Sequence, residues 1–225
     1  MNKQNMDIIF EQSRYIAHEI RNHLSICELY TEIIKKHSDN GKTKNESIDN
    51  ALKCIKKSLK IMGNSLLDLK SLNNLKVEDH DLKTVINEGV NLSKIYSHDK
   101  DIEITAHINE TALIKIDENK FLACIVNIIK NAIEAIENKG KIKVITRIKN
   151  NIASIKILNN GKPISKENQN QIFKEGYTTK LTGSGLGLYI CRNNLAMQNA
   201  ELRLNKSDKE ETEFEIKLPV ISIYN

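Results

Sequence analysis

The chain has 225 residues, 40% of them hydrophobic and 28% charged, with a net charge of +5. Such a length and composition suit two modest globular domains, or one domain with an appendage, and exclude a disordered chain. No apolar run approaches the roughly 18 residues of a membrane span, no signal peptide opens the sequence, and no basic stripe with interleaved aromatics suggests direct nucleic-acid binding.

Cys27, Cys54, Cys124 and Cys191 lie far apart and form no CxxC pair, which fits reduced thiols and a cytoplasmic setting. From about Asn5 to His37 the pattern predicts one long helix. Its apolar residues Ile9, Ile16, Ile20, Cys27 and Ile34 recur at steps of three and four or their multiples. His18 stands two residues from both Ile16 and Ile20, about 160–200° around the helix from each, so it is expected to face water. Glu19 lies beside it and Asn22 one turn on. A solvent-facing imidazole titrates at about pH 6.5, so much of it is neutral and able to attack near neutrality. Glu19 can take up the departing proton, and Asn22 at i+4 reaches whatever His18 carries. Taken alone, a surface histidine on an amphipathic helix is usually no more than that.

Ser38 to Lys42 reads as a turn by composition. Ile48, Leu52, Ile55, Leu59, Met62, Leu66, Leu69 and, after a gap, Leu75 then follow heptad spacing, the seam of a coiled coil or bundle. A hairpin of two such helices has apolar surface on too many sides to stay alone. Pairing with a second copy into a four-helix bundle would cover it, so a homodimer is expected. A spacer that only dimerises would explain the seam but gives no reason for His18-Glu19 on the outside.

Asn73 to Asp81 is polar and reads as a linker, after which the texture turns to mixed α and β. A helix is predicted over Asp81–Ser93, strands over Ile102–Ile108 and Ala112–Ile116, and an apolar helix over about Glu118–Glu137. Strands Lys141–Lys149 and Ile152–Leu158 meet at Asn150-Asn151, a hairpin turn by residue type. A further helix follows Gly185, and the strands Glu201–Asn205 and Glu213–Leu218 form a last hairpin. Strands in hairpins beside segregated helices predict an α+β sandwich rather than a parallel dinucleotide fold.

Polar groups collect at three places in this second half. Asn127 and Asn131 are four apart on one face of an otherwise apolar helix, and amides there are costly to bury unless something polar meets them. A hydrated Mg²⁺ carrying phosphates would suit Asn131. Asn159-Asn160-Gly161 ends a strand in a turn that can set a short polar side chain against a base. Gly183, Gly185 and Gly187 alternate directly into a helix start, where main-chain N–H groups without a neighbouring Cβ can cradle phosphate.

In this order and spacing the segments resemble the sensor histidine kinases of two-component systems over residues about 5 to 220. His18-Glu19-Ile20-Arg21-Asn22 resembles their H box and Asn127 to Asn131 their N box. Asn159-Asn160-Gly161 resembles the first glycine box, Ile172-Phe173 the F box, and Gly183 to Leu188 the second glycine box. The resemblance implies a dimerisation and phosphotransfer hairpin over 1–75 and a Bergerat-type ATP-binding domain over 76–225. By the same resemblance His18 would be the phosphoacceptor, Glu19 its proton acceptor and Asn22 the position that orients water for dephosphorylation. Asn131 would hold Mg²⁺. Asn127, Asn159 and Gly161 would line the ATP site, and Gly183, Gly185 and Gly187 would meet phosphate. Lys174 to Thr182 would form a short lid, which puts Thr179 and Lys180, and next to it Leu186, beside the nucleotide.

The sequence departs from that family at three positions. His23 stands where a proline is usual, Asn159 where an adenine-binding Asp is usual, and Pro163 in place of a glycine. An Asp at 159 would accept a hydrogen bond from the adenine amino group with full charge, so Asn159→Asp is expected to tighten ATP binding by on the order of 1 kcal/mol.

The leading expectation is an ATP-dependent protein-histidine kinase whose phosphoryl group passes to an Asp on a response regulator receiver domain. The first alternative is a phosphotransfer or binding module that no longer uses ATP. The second is an ATPase of the same superfamily, which would need a carboxylate where Asn127 stands, since an amide is no general base. No sensor domain precedes the hairpin, so the expectation is a kinase regulated by a separate sensor protein, or an excised core.

Overall fold

The computed structural model describes residues 3–39, 48–55, 58, 59, 62, 75–97, 100–180 and 185–224, with the side chains at 3–12, 14, 15, 18, 19, 36–39 and 224 outside the description. The chain divides into two compact units, one helical and within 1–73, the other covering 74–179 and the residues from 185 on. No described helix is long and apolar enough to cross a membrane.

The helical unit contains α1 (Lys3–Asp39) and a second helix, α2, described over 48–55 and at 58, 59 and 62. Ile16 is fully buried, and Ile20, His23, Cys27, Tyr30 and Ile34 continue its row, half-buried, at steps of four and three. That is the spacing of a helix seam. On α2 the buried residues are the small ones, Ala51 and Ser58, while Leu52 and Leu59 are 44% and 55% exposed. The predicted heptad row therefore splits. Ala51, Ile55, Ser58 and Met62 form its covered side, and Leu52 and Leu59 point outward. Cys27 Sγ lies 3.9 Å from the Ile55 carbonyl oxygen, tying the two helices together. Ser38 and Asp39, expected in the turn, are still helical; residues 40–42, Leu66 and Leu69 lie outside the described residues.

The second unit is a seven-stranded mixed sheet with helices on one face. Its strands are β1 (Glu78–Asp81), β2 (Asp101–Ile108), β3 (Thr111–Ile116), β4 (Lys139–Lys149), β5 (Ile152–Asn159), β6 (Glu201–Ser207) and β7 (Thr212–Tyr224). The order is β1-β3-β7-β5-β4-β2, with β6 also paired to β7. Every pair is antiparallel except β2 with β4. The β4–β5 turn has positive φ at Asn150 (52°) and Asn151 (57°), the backbone of the tight hairpin that the Asn-Asn pair predicts. β1 corrects the expected linker: Glu78 to Asp81 pair with Ile116 to Leu113.

The helices are α3 (Leu82–Ser93), followed by a 3-10 turn at Lys94–Ser97, then α4 (Glu118–Ala135), α5 (Lys166–Gln169) and α6 (Gly187–Ala196). Asp81 and Asp117 cap α3 and α4, accepting from Thr84 N at 2.7 Å and Lys120 N at 3.0 Å. α4 is the spine of this unit. Its Phe121, Ile125, Ile128, Ile129 and Ile133 pack on the inward rows of β4 and β5, including Ile142, Val144, Ala153, Ile155 and Ile157. α4 ends at Ala135 rather than Glu137 because Ile136 is already extended, with φ −88° and ψ 128°. Lys100 Nζ donates to the carbonyls of Ile133 (2.8 Å) and Ile136, placing a cation at the negative end of the helix.

Candidate functional site

α4 is approached closely at two points. At the first, Asn127 is half-buried and its Nδ2 donates to Cys191 Sγ at 3.3 Å, joining α4 to α6. A Cβ on Gly187 would fall 2.6 Å from that same Nδ2, so a larger residue there would make the Asn127 side chain shift. Gly185 has φ +70°, and a Cβ on it would lie 2.3 Å from the Gly176 carbonyl carbon. Backbone conformation and space both demand glycine there. Between them Leu186, the residue at which α6 begins, is fully buried.

The second approach is at the far end of α4. A Cβ on Gly161 would fall 2.7 Å from the carbonyl carbon and oxygen of Ala135, and Lys162 N donates to that oxygen at 2.8 Å. Gly161 N in turn donates to Asn159 Oδ1 at 3.0 Å. Asn159, 4% exposed, is the polar end of the otherwise apolar inward row of β5, and its Nδ2 donates to the Thr212 carbonyl at 3.4 Å. The two approaches are eight residues apart on α4, about 12 Å at 1.5 Å per residue. Asn131 lies midway and is half-buried.

Around this line the segment after α5 is anchored by Ile172, which is buried, and by Phe173, edge-on to Phe214 with ring centroids 6.3 Å apart. The Arg192 guanidinium sits 5.2 Å from the Phe173 ring centre. Of the expected lid, residues 174–180 are described, with Thr179 and Lys180 exposed; Gly183 lies outside the described residues. Sequence reasoning passed over Gly140. A Cβ there would come within 2.7 Å of Asn160 Oδ1, which accepts from Lys141 N at 2.8 Å. The signal was a glycine opening an otherwise regular strand.

The α/β unit thus brings together Asn127, Asn131, Asn159, Gly161, Gly185, Leu186 and Gly187. His18, Glu19 and Asn22 lie on α1 of the helical unit; the side chains of His18 and Glu19 are outside the description, and Asn22 is exposed. His23 is half-buried, its Nδ1 shielded from solvent without a hydrogen-bond partner. Among the described residues no cluster of His, Cys, Asp or Glu is placed to hold a metal. A single amide at Asn131 suits Mg²⁺ in company with phosphate oxygens, the ligand set that ion favours.

Residues 116–222 match the family described as Histidine kinase-, DNA gyrase B-, and HSP90-like ATPase. Over 97% of its length the chain is 29% identical to Sporulation kinase C of Bacillus subtilis (strain 168), covering 51% of that protein. It is 26% identical to the sensor histidine kinase ZraS of Escherichia coli (strain K12), over 91% of this chain and 44% of that one. The chain therefore spans about half the length of the curated relatives it matches. Among solved structures, the histidine kinase ThkA in complex with the response regulator protein TrrA matches 97% of this chain and 64% of that one, with a TM-score of 0.69 at 24% identity. The catalytic domain of ThkA alone matches 64% of this chain and 96% of that one, with a TM-score of 0.59 at 24% identity. Over most of its length the chain is thus similar to a sensor histidine kinase.

Proposed function

We propose that this chain, similar along nearly its whole length to sensor histidine kinases, is an ATP-dependent protein-histidine kinase that phosphorylates itself on His18. The observation that carries the reading is the pair of glycine approaches on α4, at Asn127 and at Ala135, with Asn131 between them. Asn127 also argues against a water-activating ATPase, because its amide is no general base.

In this reading residues 1–75 form the phosphotransfer hairpin, paired with a second copy, and 76–225 the ATP-binding domain of a cytoplasmic kinase. The phosphates meet the N–H groups of Gly183, Gly185 and Gly187, with Thr179, Lys180 and Leu186 alongside. Asn131 holds Mg²⁺, which when bound neutralises charge on the phosphate oxygens. A nitrogen of His18 attacks the terminal phosphorus, the bond to the bridging oxygen breaks, ADP departs with that electron pair, and Glu19 takes the imidazole proton. The phosphoryl group then passes to an Asp on a response regulator, the kind of partner the ThkA complex holds. Asn22, one turn past His18, orients water for the reverse task of dephosphorylating that partner.

The test is incubation with γ-labelled ATP and Mg²⁺. Acid-labile, base-stable label is expected on the unaltered chain and none on His18→Gln. Undiminished label in that variant, or label mapped to His23, would overturn the assignment.

A further inference from the structure

We infer that the site accepts 6-oxopurine nucleoside triphosphates alongside ATP, because Asn159 keeps both an amide hydrogen and an oxygen lone pair for the base. This rests on the nucleotide reading above and concerns only which base the site takes. Asn159 closes the inward row of β5 after Ala153, Ile155 and Ile157 and is 4% exposed, so what it meets it meets nearly without water.

Its amide has one orientation. Gly161 N, which can only donate, lies 3.0 Å from Oδ1, and the Thr212 carbonyl, which can only accept, lies 3.4 Å from Nδ2. Both main-chain groups require the same assignment of oxygen and nitrogen. Together they use one lone pair and one hydrogen and leave one of each. Thr212 is itself held in place, its hydroxyl 2.7 Å from that of Ser207 across β6 and β7. A 6-amino group can donate to the remaining lone pair, and a 6-oxo group can accept the remaining hydrogen. A carboxylate at this position would offer acceptors only.

The same contacts alter the expectation for Asn159→Asp. The carboxylate would gain charge toward a 6-amino group but lose the bond to Thr212 and set two acceptors against each other in a buried place. Its clearest effect should be on selectivity, not on ATP affinity.

The experiment is calorimetric titration of the full chain with ATP and with inosine triphosphate, each with Mg²⁺. Inosine carries the 6-oxo group without the extra amine of guanine. We expect the two dissociation constants to agree within about tenfold, and Asn159→Asp to lose inosine triphosphate relative to ATP by about ten- to a hundredfold, the range of one mismatched buried hydrogen bond. If the unaltered chain binds ATP but takes inosine triphosphate more than about a hundredfold more weakly, the inference falls and the nucleotide reading stands. Binding of neither overturns the nucleotide reading and this inference with it. Should Asn159→Asp fail to fold, the ratio on the unaltered chain still decides.

Discussion

A methyl group added at Gly185 would fall 2.3 Å from a main-chain carbon, whereas one added at Gly176 would meet nothing within 4 Å, although φ is +70° and +71° at the two residues. The pair therefore separates conformational strain from loss of space. Gly176→Ala should cost roughly 1–2 kcal/mol, the penalty of a left-handed non-glycine residue. Gly185→Ala should cost at least about 1 kcal/mol more, because backbone must move. Denaturant midpoints for the two variants measure the difference, and equal losses would show that the approach to Gly176 is not tight. Glu215 gives a second prediction at this scale. Burial pushes its carboxyl up, but hydrogen bonds from Ser154 (2.6 Å) and Asn205 (2.9 Å), with Lys217 and Lys156 beside it, pull further and leave it below the usual glutamate range. A carboxyl held lower in the folded than in the unfolded state contributes stability above its unfolded value, about 4.3, and loses it as pH falls through the lowered one. Glu215→Gln should accordingly flatten the decline of melting temperature below about pH 4.3. An acid limb identical to that of the unaltered protein would remove Glu215 from the account.

The elements divide by how local their causes are. The Asn150-Asn151 hairpin was legible because two adjacent residues tolerate positive φ between alternating strands, and α4 was legible because its apolar period is long and regular. β1 was not. Glu78-Asp79-His80-Asp81 has no apolar alternation, and what makes it a strand is main-chain pairing with β3, more than thirty residues away. The covered side of α2 was missed for a related reason. Ala51 and Ser58 carry little hydrophobic signal, yet their small size is what lets them be buried, while the conspicuous Leu52 and Leu59 face out. In the site, Asn127, Asn159 and the glycines could be picked out by residue type. That Gly187 serves Asn127 and Gly161 serves Ala135 depends on which helices and strands meet, and no spacing encodes that. Lys100 likewise gave no sequence signal as a helix cap. Its ammonium holds the last carbonyls of α4, so Lys100→Met should cost about 1–2 kcal/mol locally. Amides near residues 132–136 should then exchange with solvent about tenfold faster or more. Unchanged exchange there would mean that water replaces the ammonium without loss.

For the whole molecule, the exposed leucines of the hairpin bear on assembly. Leu24, Leu29, Leu52 and Leu59 are 44–56% exposed in a single chain, an apolar area that pairing of two hairpins would cover. Light scattering at micromolar concentration should give twice the chain mass, and Leu52→Asp with Leu59→Asp should halve it. A monomeric mass for the unaltered chain would remove the paired-hairpin proposal. The α/β unit has a different dependence, on order in time. β7 is bonded to β3, β5 and β6, and all three precede it in the chain. As the polypeptide is synthesised, β3 and β5 have no common neighbour until residues 212–224 have emerged. The sheet that backs α4 therefore cannot exist co-translationally in its final form. It is completed in one late, non-local step, in the slow range typical of sheets closed by distant strands.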